Sequence, residues 1–598
     1  MSAESVELGF LKRLQASSMR WIAYGIVTGL ASGLVAAAFF VALEATSRFT
    51  FGTLTHTPQP TPPGERFFVE HESEPGEPRR WLFFLLPALG GLVSGVLVYR
   101  FAPEAEGPGT EEMIRAFHRG RGLIRPGVPI VKGIATIATL ASGGSAGKEG
   151  PIAQIGAGIG SYIATKLGLS AHDRRILLLA GTAGGLGAIF RAPLGAAITS
   201  IEVLYREDFE SDALIPCVLS SVTAYALFVA LIGGARIFDV PALPATGFRE
   251  IPGYLLLALV AVPLGMFYIA VFNWMRERLF GQLTLPKMFR PMLGGLGVGV
   301  IGYFYPQAYG AGWGYIQLAL DGEIAVLLMA SIMFAKLFAT SLTIGSGGSG
   351  GVFGPTLFIG GMLGGVIGFG GNMLLPSFFP HPEAYVLVGM ASFFAGVASA
   401  PIGAMLMVSE MTGGYALLPP LMLVSVVSIV LARGKTIYST QLKDRFHSPA
   451  HIGDLTINVL EEMRVGEFYR ETPNLRTVTP QMPFAAVRDL ILVSREATVP
   501  VVNEAGVLVG LVTAEQLRPV MDEHQLASLV VAGDIASPAL SLRTDDTLYR
   551  AHELFRASGC PQLPVLEGEE GEESIIGMLD YRDMMQAYGR ELVRRRES

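Results

Sequence analysis

Cysteine is almost missing. Cys217 and Cys560 are the only two in 598 residues, and they stand in regions of different composition. A disulfide framework or a cysteine metal site is therefore excluded. Charge is scarce as well, at 16% of residues with a net of −7, against ~25% in ordinary soluble domains. That shortage excludes a large soluble enzyme, and the acidic balance gives nucleic acid no footing. No HExxH occurs, and the nine histidines are scattered. Gly147-Lys148 fails as a phosphate-binding loop, since Ser142 stands where the first glycine would be and Glu149 replaces Ser/Thr. An ATP-driven pump or intramembrane hydrolase is thereby excluded. The first twenty residues, with Glu4, Glu7, Lys12, Arg13 and Arg20, read as a short cytoplasmic amphipathic segment (1–19) and not as a cleavable signal peptide.

What the chain has in surplus is glycine, 73 residues of it. The surplus has an address. Residues 1–440 hold 63 glycines and 54 charged residues, whereas 441–598 hold 10 and 41. The body reads as a membrane unit and the tail as a water-soluble α/β domain. Trp21–Leu43, Ile251–Met275 and Met411–Ala432 are free of charge, and Lys336 is the only charged residue between Ile324 and Pro382. Each such run meets the ~20 residues a bilayer core requires. Other apolar runs are short or interrupted by Gly and Pro, which lipid tolerates only where the backbone is buried in protein or lines a cavity. Residues 53–80, rich in Pro and Glu, form a polar loop. Lys12, Arg13 and Arg20 ahead of the first span favour a cytoplasmic N-terminus, hence a cytoplasmic tail and an even number of crossings.

An internal repeat organises the body. Residues 142–151, SGGSAGKEGP, return at 346–355 as SGGSGGVFGP, seven of ten identical at an offset of 204. Gly181, Ala183, Ala192, Pro193, Gly195, Ala196 and Glu202 return as Gly389, Ala391, Ala400, Pro401, Gly403, Ala404 and Glu410 at an offset of 208. The repeats are expected at about 80–233 and 250–433. Duplicated halves with Gly/Pro-interrupted segments at matching positions point to a transport site near the membrane midplane. A helix starting in mid-membrane exposes unpaired N–H groups and a partial positive charge. Pro151 and Pro355 suit its first turn. Two such ends facing each other would bind an anion without a fixed buried cation. Close packing of small residues is the alternative reading of the glycines, but it does not require Pro after both clusters.

These motifs resemble the CLC family of chloride channels and chloride/proton exchangers. Gly147-Lys148-Glu149-Gly150-Pro151 is similar to its G(K/R)EGP motif, Gly351-Val352-Phe353-Gly354-Pro355 to its GxFxP motif, and Thr436-Ile437-Tyr438-Ser439 to the segment of its pore tyrosine. The resemblance covers about 20–440. It implies an all-α polytopic membrane fold with an inverted internal repeat and broken helices, and a homodimer with one pore per subunit. It further implies Glu149 as the gate, whose carboxylate competes with the permeating anion until protonated. Anion contacts would come from Pro108, Gly147, Lys148, Gly150 and Gly351, from the N–H groups of Val352 and Phe353, and from the Tyr438 hydroxyl. Two departures stand out. The family's GSGIPE reads Gly107-Pro108-Gly109-Thr110-Glu111-Glu112 here, and proline in place of the anion-contacting serine resembles nitrate-preferring members. Val203 stands where exchangers commonly carry an inner proton glutamate, which leans the reading towards a channel, with an exchanger using Glu202 as the alternative. Glu202 also has a structural reading, supported by its repeat partner Glu410.

After a linker at 441–463, residues 464–521 and 530–590 resemble a tandem pair of CBS domains. Val499-Pro500-Val501-Val502-Asn503 with Gly510-Leu511-Val512-Thr513 marks the first copy. Leu563-Pro564-Val565-Leu566-Glu567 with Gly577-Met578-Leu579-Asp580-Tyr581-Arg582-Asp583 marks the second. The resemblance implies an adenine-nucleotide site at Thr513, Asp580 and Asp583, although Gln516 replaces the acid in the first copy; a purely structural, dimerising module is the alternative. No cofactor is required for transport. A rival of another class, a CBS-regulated divalent-cation transporter, would need acids within the spans, and only Glu149, Glu202 and Glu410 lie there.

Overall fold

The computed structural model describes residues 3–67, 77, 79–244, 246–432, 434–451, 459–473, 475–493, 497–521, 529–568 and 573–597. Parts of the expected polar loop (68–76 and 78) and of the linker (452–458) lie outside the described residues. The chain divides into two compact units, Met1–Ala450 and His451–Ser598.

Among the described residues the first unit has sixteen α-helices: α1 (Ala3–Ser47), α2 (Leu82–Phe101), α3 (Thr110–His118), α4 (Gly127–Ala141), α5 (Glu149–Lys166), α6 (Ala171–Phe190), α7 (Pro193–Glu202), α8 (Leu214–Ile232), α9 (Ile251–Trp274), α10 (Arg290–Phe304), α11 (Trp313–Leu320), α12 (Val326–Gly345), α13 (Phe353–Leu374), α14 (Pro382–Ala398), α15 (Pro401–Thr412) and α16 (Leu418–Ala432). Among the described residues, six helical stretches are long and apolar enough to cross a membrane, Met19–Leu54, Leu82–Phe101, Ser211–Ile232, Phe248–Phe280, Val326–Gly345 and Phe353–Leu374. The charge-free run Met411–Ala432 is not one span. Gly413, at φ +67°, ends α15, and α16 starts only at Leu418. The helix that carries the first span also runs straight through the segment expected to precede it.

Pairs of contacts related by the repeat offset show an approximate two-fold axis. The Gly147 N–H donates to the Gly351 carbonyl and the Gly351 N–H to the Gly147 carbonyl, both at 2.7 Å. Thr136 and Ser349 hydroxyls meet at 3.0 Å, and their counterparts Thr340 and Ser145 at 2.9 Å. α6 ends on Arg191 at φ 52° and α14 on Ser399 at φ 54°, after which Pro193 and Pro401 open α7 and α15. The left-handed residue turns the chain, and proline restarts the helix without losing a hydrogen bond. The series α1–α8 matches α9–α16 element by element, and both α1 and α9 run on into π-helical turns, Arg48–Leu54 and Met275–Phe280. The first repeat therefore includes α1, ahead of the expected start at about 80; α1 carries no motif that the offset could match.

Small residues set the helix spacing. A Cβ on Gly156 would sit 2.1 Å from the Gly181 carbonyl, and one on Gly360 would sit 2.3 Å from that of Gly389. α5 thus packs on α6, and α13 on α14, with backbones in contact.

Among the described residues the second unit contains two small sheets. β1 (Arg470–Glu471), β5 (Leu542–Arg543), β6 (Gln562–Glu567) and β7 (Ser574–Asp580) form one in the order β1-β7-β6-β5, and β2 (Thr498–Val502), β3 (Leu508–Thr513) and β4 (Ser537–Pro538) form the other. β1 belongs in sequence to the first copy and pairs with the sheet of the second, while β4 does the reverse.

Candidate anion pathway

Three helix N-termini converge within the first unit. α3 begins at Thr110, α5 at Glu149 and α13 at Phe353, each leaving backbone donors without intrahelical partners. They border a narrow cavity lined by Thr110, Met113, Glu149, Gly150, Ala153, Thr182, Leu186, Thr199, Val203, Phe353, Phe394 and Tyr438. Its walls are apolar apart from four hydroxyls and one carboxylate. The Thr182 hydroxyl donates to the Leu178 carbonyl at 3.0 Å and Thr199 to Gly195 at 2.7 Å, so both protons go to their own helices. Thr110 and Tyr438 supply the remaining hydroxyls. No Lys or Arg lines the cavity. Helix dipoles and N–H groups thus provide the positive potential, which holds an anion without trapping it. A single carboxylate does not suit a divalent cation, which takes several oxygen ligands.

Glu149 is fully buried at one end of this cavity. Its Oε2 accepts from the Gly354 N–H at 3.2 Å, while Oε1 has no hydrogen-bond partner. The carboxylate lies where an anion would meet the start of α13. Glycine makes that fit possible: a Cβ on Gly354 would stand 2.9 Å from Oε2, and one on Gly147 closer still. Tyr438, 1% exposed, lines the same cavity. Its position is fixed through its neighbour. The Ser439 N–H and hydroxyl donate to Glu111 Oε1 at 2.8 and 2.7 Å, Thr440 donates to the Glu111 carbonyl at 3.0 Å, and Arg276 pairs with Glu111 Oε2 at 3.1 Å.

Of the residues proposed from sequence, Glu149, Gly150, Phe353, Tyr438 and Val203 come together at this cavity. Val352, the N-cap of α13, stands at the helix start beside it. Gly147 and Gly351 form a backbone bridge, their amides donating to each other's carbonyls. Lys148 lies off the cavity, paired with Glu65. Pro108 is buried and packs its carbonyl towards Gly150, where a Cβ would stand 2.2 Å away; the side chain lining the cavity from this motif is Thr110. Glu202 is also away from the cavity. Its oxygens accept from Ile402 N–H at 3.0 Å and Gly403 N–H at 2.7 Å, and Glu410 answers with Leu194 at 3.2 Å and Gly195 at 2.7 Å. Each glutamate caps the partner helix.

Two buried lysines went unnoticed as a pair. Lys132 donates to the Ala105 and Gly107 carbonyls at 3.0 and 2.7 Å, and Lys336 to Ala308, Tyr309 and Gly310 at 3.1, 3.3 and 2.6 Å. They hold the loops that deliver α3 and α11. The offset of 204 applied to Lys336 gives Lys132 directly.

In the second unit Thr513 donates its N–H and hydroxyl to Gln516 Oε1 at 2.7 and 3.3 Å. Asp580 accepts from the Arg582 N–H at 2.7 Å and from Gln562 at 3.2 Å. Asp583 pairs with Arg470 at 3.3 Å on the surface.

Residues 90–433 match the family model described as Voltage gated chloride channel, and 465–523 and 531–590 match that of the CBS domain. A "Putative chloride channel protein ClcB-like" of Ralstonia nicotianae is 31% identical over 59% of this chain and 82% of its own length. An "H(+)/Cl(-) exchange transporter ClcA" of Salmonella agona is 31% identical over 70% of this chain and 86% of its own. Among solved structures, a slow cyanobacterial Cl-/H+ antiporter superposes with a TM-score of 0.62 at 23% identity, covering 70% of this chain and 96% of that one. A eukaryotic CLC transporter gives 0.58 at 19% identity over 95% and 98%. The chain belongs to the CLC family of membrane anion-transport proteins, which are not enzymes, and carries a C-terminal pair of CBS domains.

Proposed function

We propose that the protein passes small monovalent anions, chloride and nitrate among them, through the cavity between Tyr438 and Glu149 in a channel-like manner. The observation that carries this reading is Val203 in the cavity wall, with the adjacent Glu202 committed to backbone amides. An apolar side chain relays no proton, and a carboxylate holding two N–H groups is a poor shuttle. Glu149 is the gate: ionised, it fills the anion's place on α13; protonated, it gives way. Pro108 favours nitrate by withdrawing one hydroxyl donor from the smaller ion, and the chloride-to-nitrate ratio should rise in Pro108→Ser. An unchanged ratio would remove that part of the proposal.

The names of the ClcA relative and of the solved antiporters favour a second reading, an anion/proton exchanger. One experiment separates the two. Purified protein in liposomes is given an anion gradient, and anion flux and proton uptake are measured together, for chloride and for nitrate. Anion flux without proton movement supports the channel; stoichiometric proton movement supports exchange. The proposal further takes both termini to be cytoplasmic, because Lys12, Arg13 and Arg20 precede the first span. It also takes the protein to be a homodimer with one pore per subunit.

A further inference from the structure

Lys148 directly precedes Glu149 at the start of α5, and its ammonium is already taken. The Glu65 carboxylate forms an ion pair with it, the two side chains being only 6% and 10% exposed. The ammonium also lies 5.0 Å from the Phe40 ring centroid and 5.8 Å from that of Trp313. Glu65 belongs to the polar connection between α1 and α2, and that connection is fastened to the segment after α8 and to α11. The Gly64 N–H donates to the Ile237 carbonyl at 3.2 Å, and the Tyr315 hydroxyl donates to Gln59 at 3.2 Å. A Cβ on Gly64 would stand 2.0 Å from the Arg236 carbonyl, and one on Gly314 would stand 1.9 Å from that of Pro60. A buried acid is thus delivered to a buried lysine from 83 residues away.

Among the described residues, the charged groups facing Glu65 are Lys148 from α5, Arg191 from the end of α6, Glu44 from α1 and Glu149 at the gate. Arg48, farther along α1, acts on Glu44. Two donors in this neighbourhood, Arg191 Nε and Trp313 Nε1, are buried without an acceptor. The Lys148 ammonium pairs with Glu65 and lies beside the Trp313 ring, while Arg191, whose Nη1 donates to the Ala235 carbonyl, acts on Glu65 through its charge; donors of this kind make a setting for an anion. The acceptor now present is supplied by the chain itself.

We propose that Lys148 and Arg191 form an outer site for a small monovalent inorganic anion ahead of the pore, and that Glu65 occupies it as a competing carboxylate. Glu65 then repeats, one step farther out, what Glu149 does at the start of α13. An anion arriving from this side displaces first Glu65 from Lys148 and then Glu149 from Gly354. The inference holds for a channel and for an exchanger alike.

The test varies anion concentration on one face at a time for the reconstituted full chain. Glu65→Gln should lower the half-saturating concentration on the Glu65 side by about threefold to tenfold, as removal of one competing charge implies, with the Tyr438 side unchanged. Lys148→Gln should raise it, and adding Glu65→Gln to Lys148→Gln should then have no further effect. A purely structural ion pair would move both faces equally or neither, and either result overturns the proposal. Should Glu65→Gln not fold alone, the neutral pair Glu65→Gln/Lys148→Gln against Lys148→Gln carries the same comparison. A difference between those two variants would equally overturn it.

Discussion

At the scale of single residues, the gate proposed at Glu149 is argued from what its carboxylate leaves unsatisfied. Glu149 Oε1 is buried without a partner, an arrangement that costs free energy unless another function keeps it. Glu149→Gln should therefore abolish the pH dependence of anion passage, or the coupling to protons if the protein is an exchanger. Stability should change by no more than ~1 kcal/mol, since few bonds are lost. Liposome flux between pH 4 and 8 reads the first and a detergent melt the second; loss of all anion flux in the folded variant contradicts the assignment. Glu111 is a positioning residue for Tyr438. Glu111→Ala removes two bonds to Ser439 and the Arg276 pair, and with Arg276 27% exposed the loss is about 2 kcal/mol. The same variant should weaken anion affinity on the Tyr438 side only, whereas Glu111→Gln, able to keep one Ser439 bond, should restore part of it. Glu149 and Tyr438 were legible because their motifs are local. Glu111 stood in plain view as a departure from GSGIPE, yet its task depends on Arg276 and Ser439, brought together only by the fold. Glu65 gave no signal at all, since a Glu in a polar loop is indistinguishable from a solvated one until Lys148 is seen beside it.

At the scale of elements, the broken helices follow from Gly and Pro placed in register, and that register was readable as two offsets. The structure adds which glycines are indispensable. A Cβ on Gly351 would lie 2.8 Å from the Gly150 nitrogen and 3.0 Å from the Gly147 carbonyl, with backbone on every side and nothing able to yield. Gly351→Ala should separate the starts of α5 and α13 and remove anion flux even where the protein folds. Gly370, in the same helix α13, offers the contrast: its nearest neighbour would be Val326 Cγ1 at 3.7 Å. Gly370→Ala should leave flux intact and stabilise by about 0.5–1 kcal/mol through the helix propensity of alanine. Equal behaviour of the two variants would mean that the glycines serve general packing alone. The run at 411–432 shows the limit of composition: it looked like a span because nothing charged interrupts it, whereas Gly413 at φ +67° turns the chain without any charge. In the same way α1 joins the first repeat by geometry, having no Gly-Pro motif for an offset to find.

At the scale of the whole molecule, the fall in glycine and rise in charge near residue 440 anticipated two units, and the structure divides the chain at Ala450 and His451. The interior of the second unit was less legible. β1 and β4 each join the sheet of the other copy, and Gln562 of the second copy accepts from the Ala497 and Thr498 N–H groups of the first at 2.7 and 3.3 Å. Such swaps rest on two-residue strands that no periodicity reveals. They also bear on whether the tail senses a nucleotide. Asp583, the acid placed to receive a ribose, is held by Arg470 from β1, with both side chains well exposed. An exposed pair of this kind is worth under ~1 kcal/mol, so a ribose could displace it. If the pair binds a nucleotide, calorimetry on the full chain should give saturable heat with ATP, ADP or AMP. Asp583→Ala should then weaken binding by about tenfold, the size of a lost charge-assisted hydrogen bond. Arg470→Ala, which releases the acid, should leave binding intact or strengthen it. No heat with any of the three nucleotides would assign the tail to structure and dimerisation alone, and would move the regulation of the pore back to its two carboxylates.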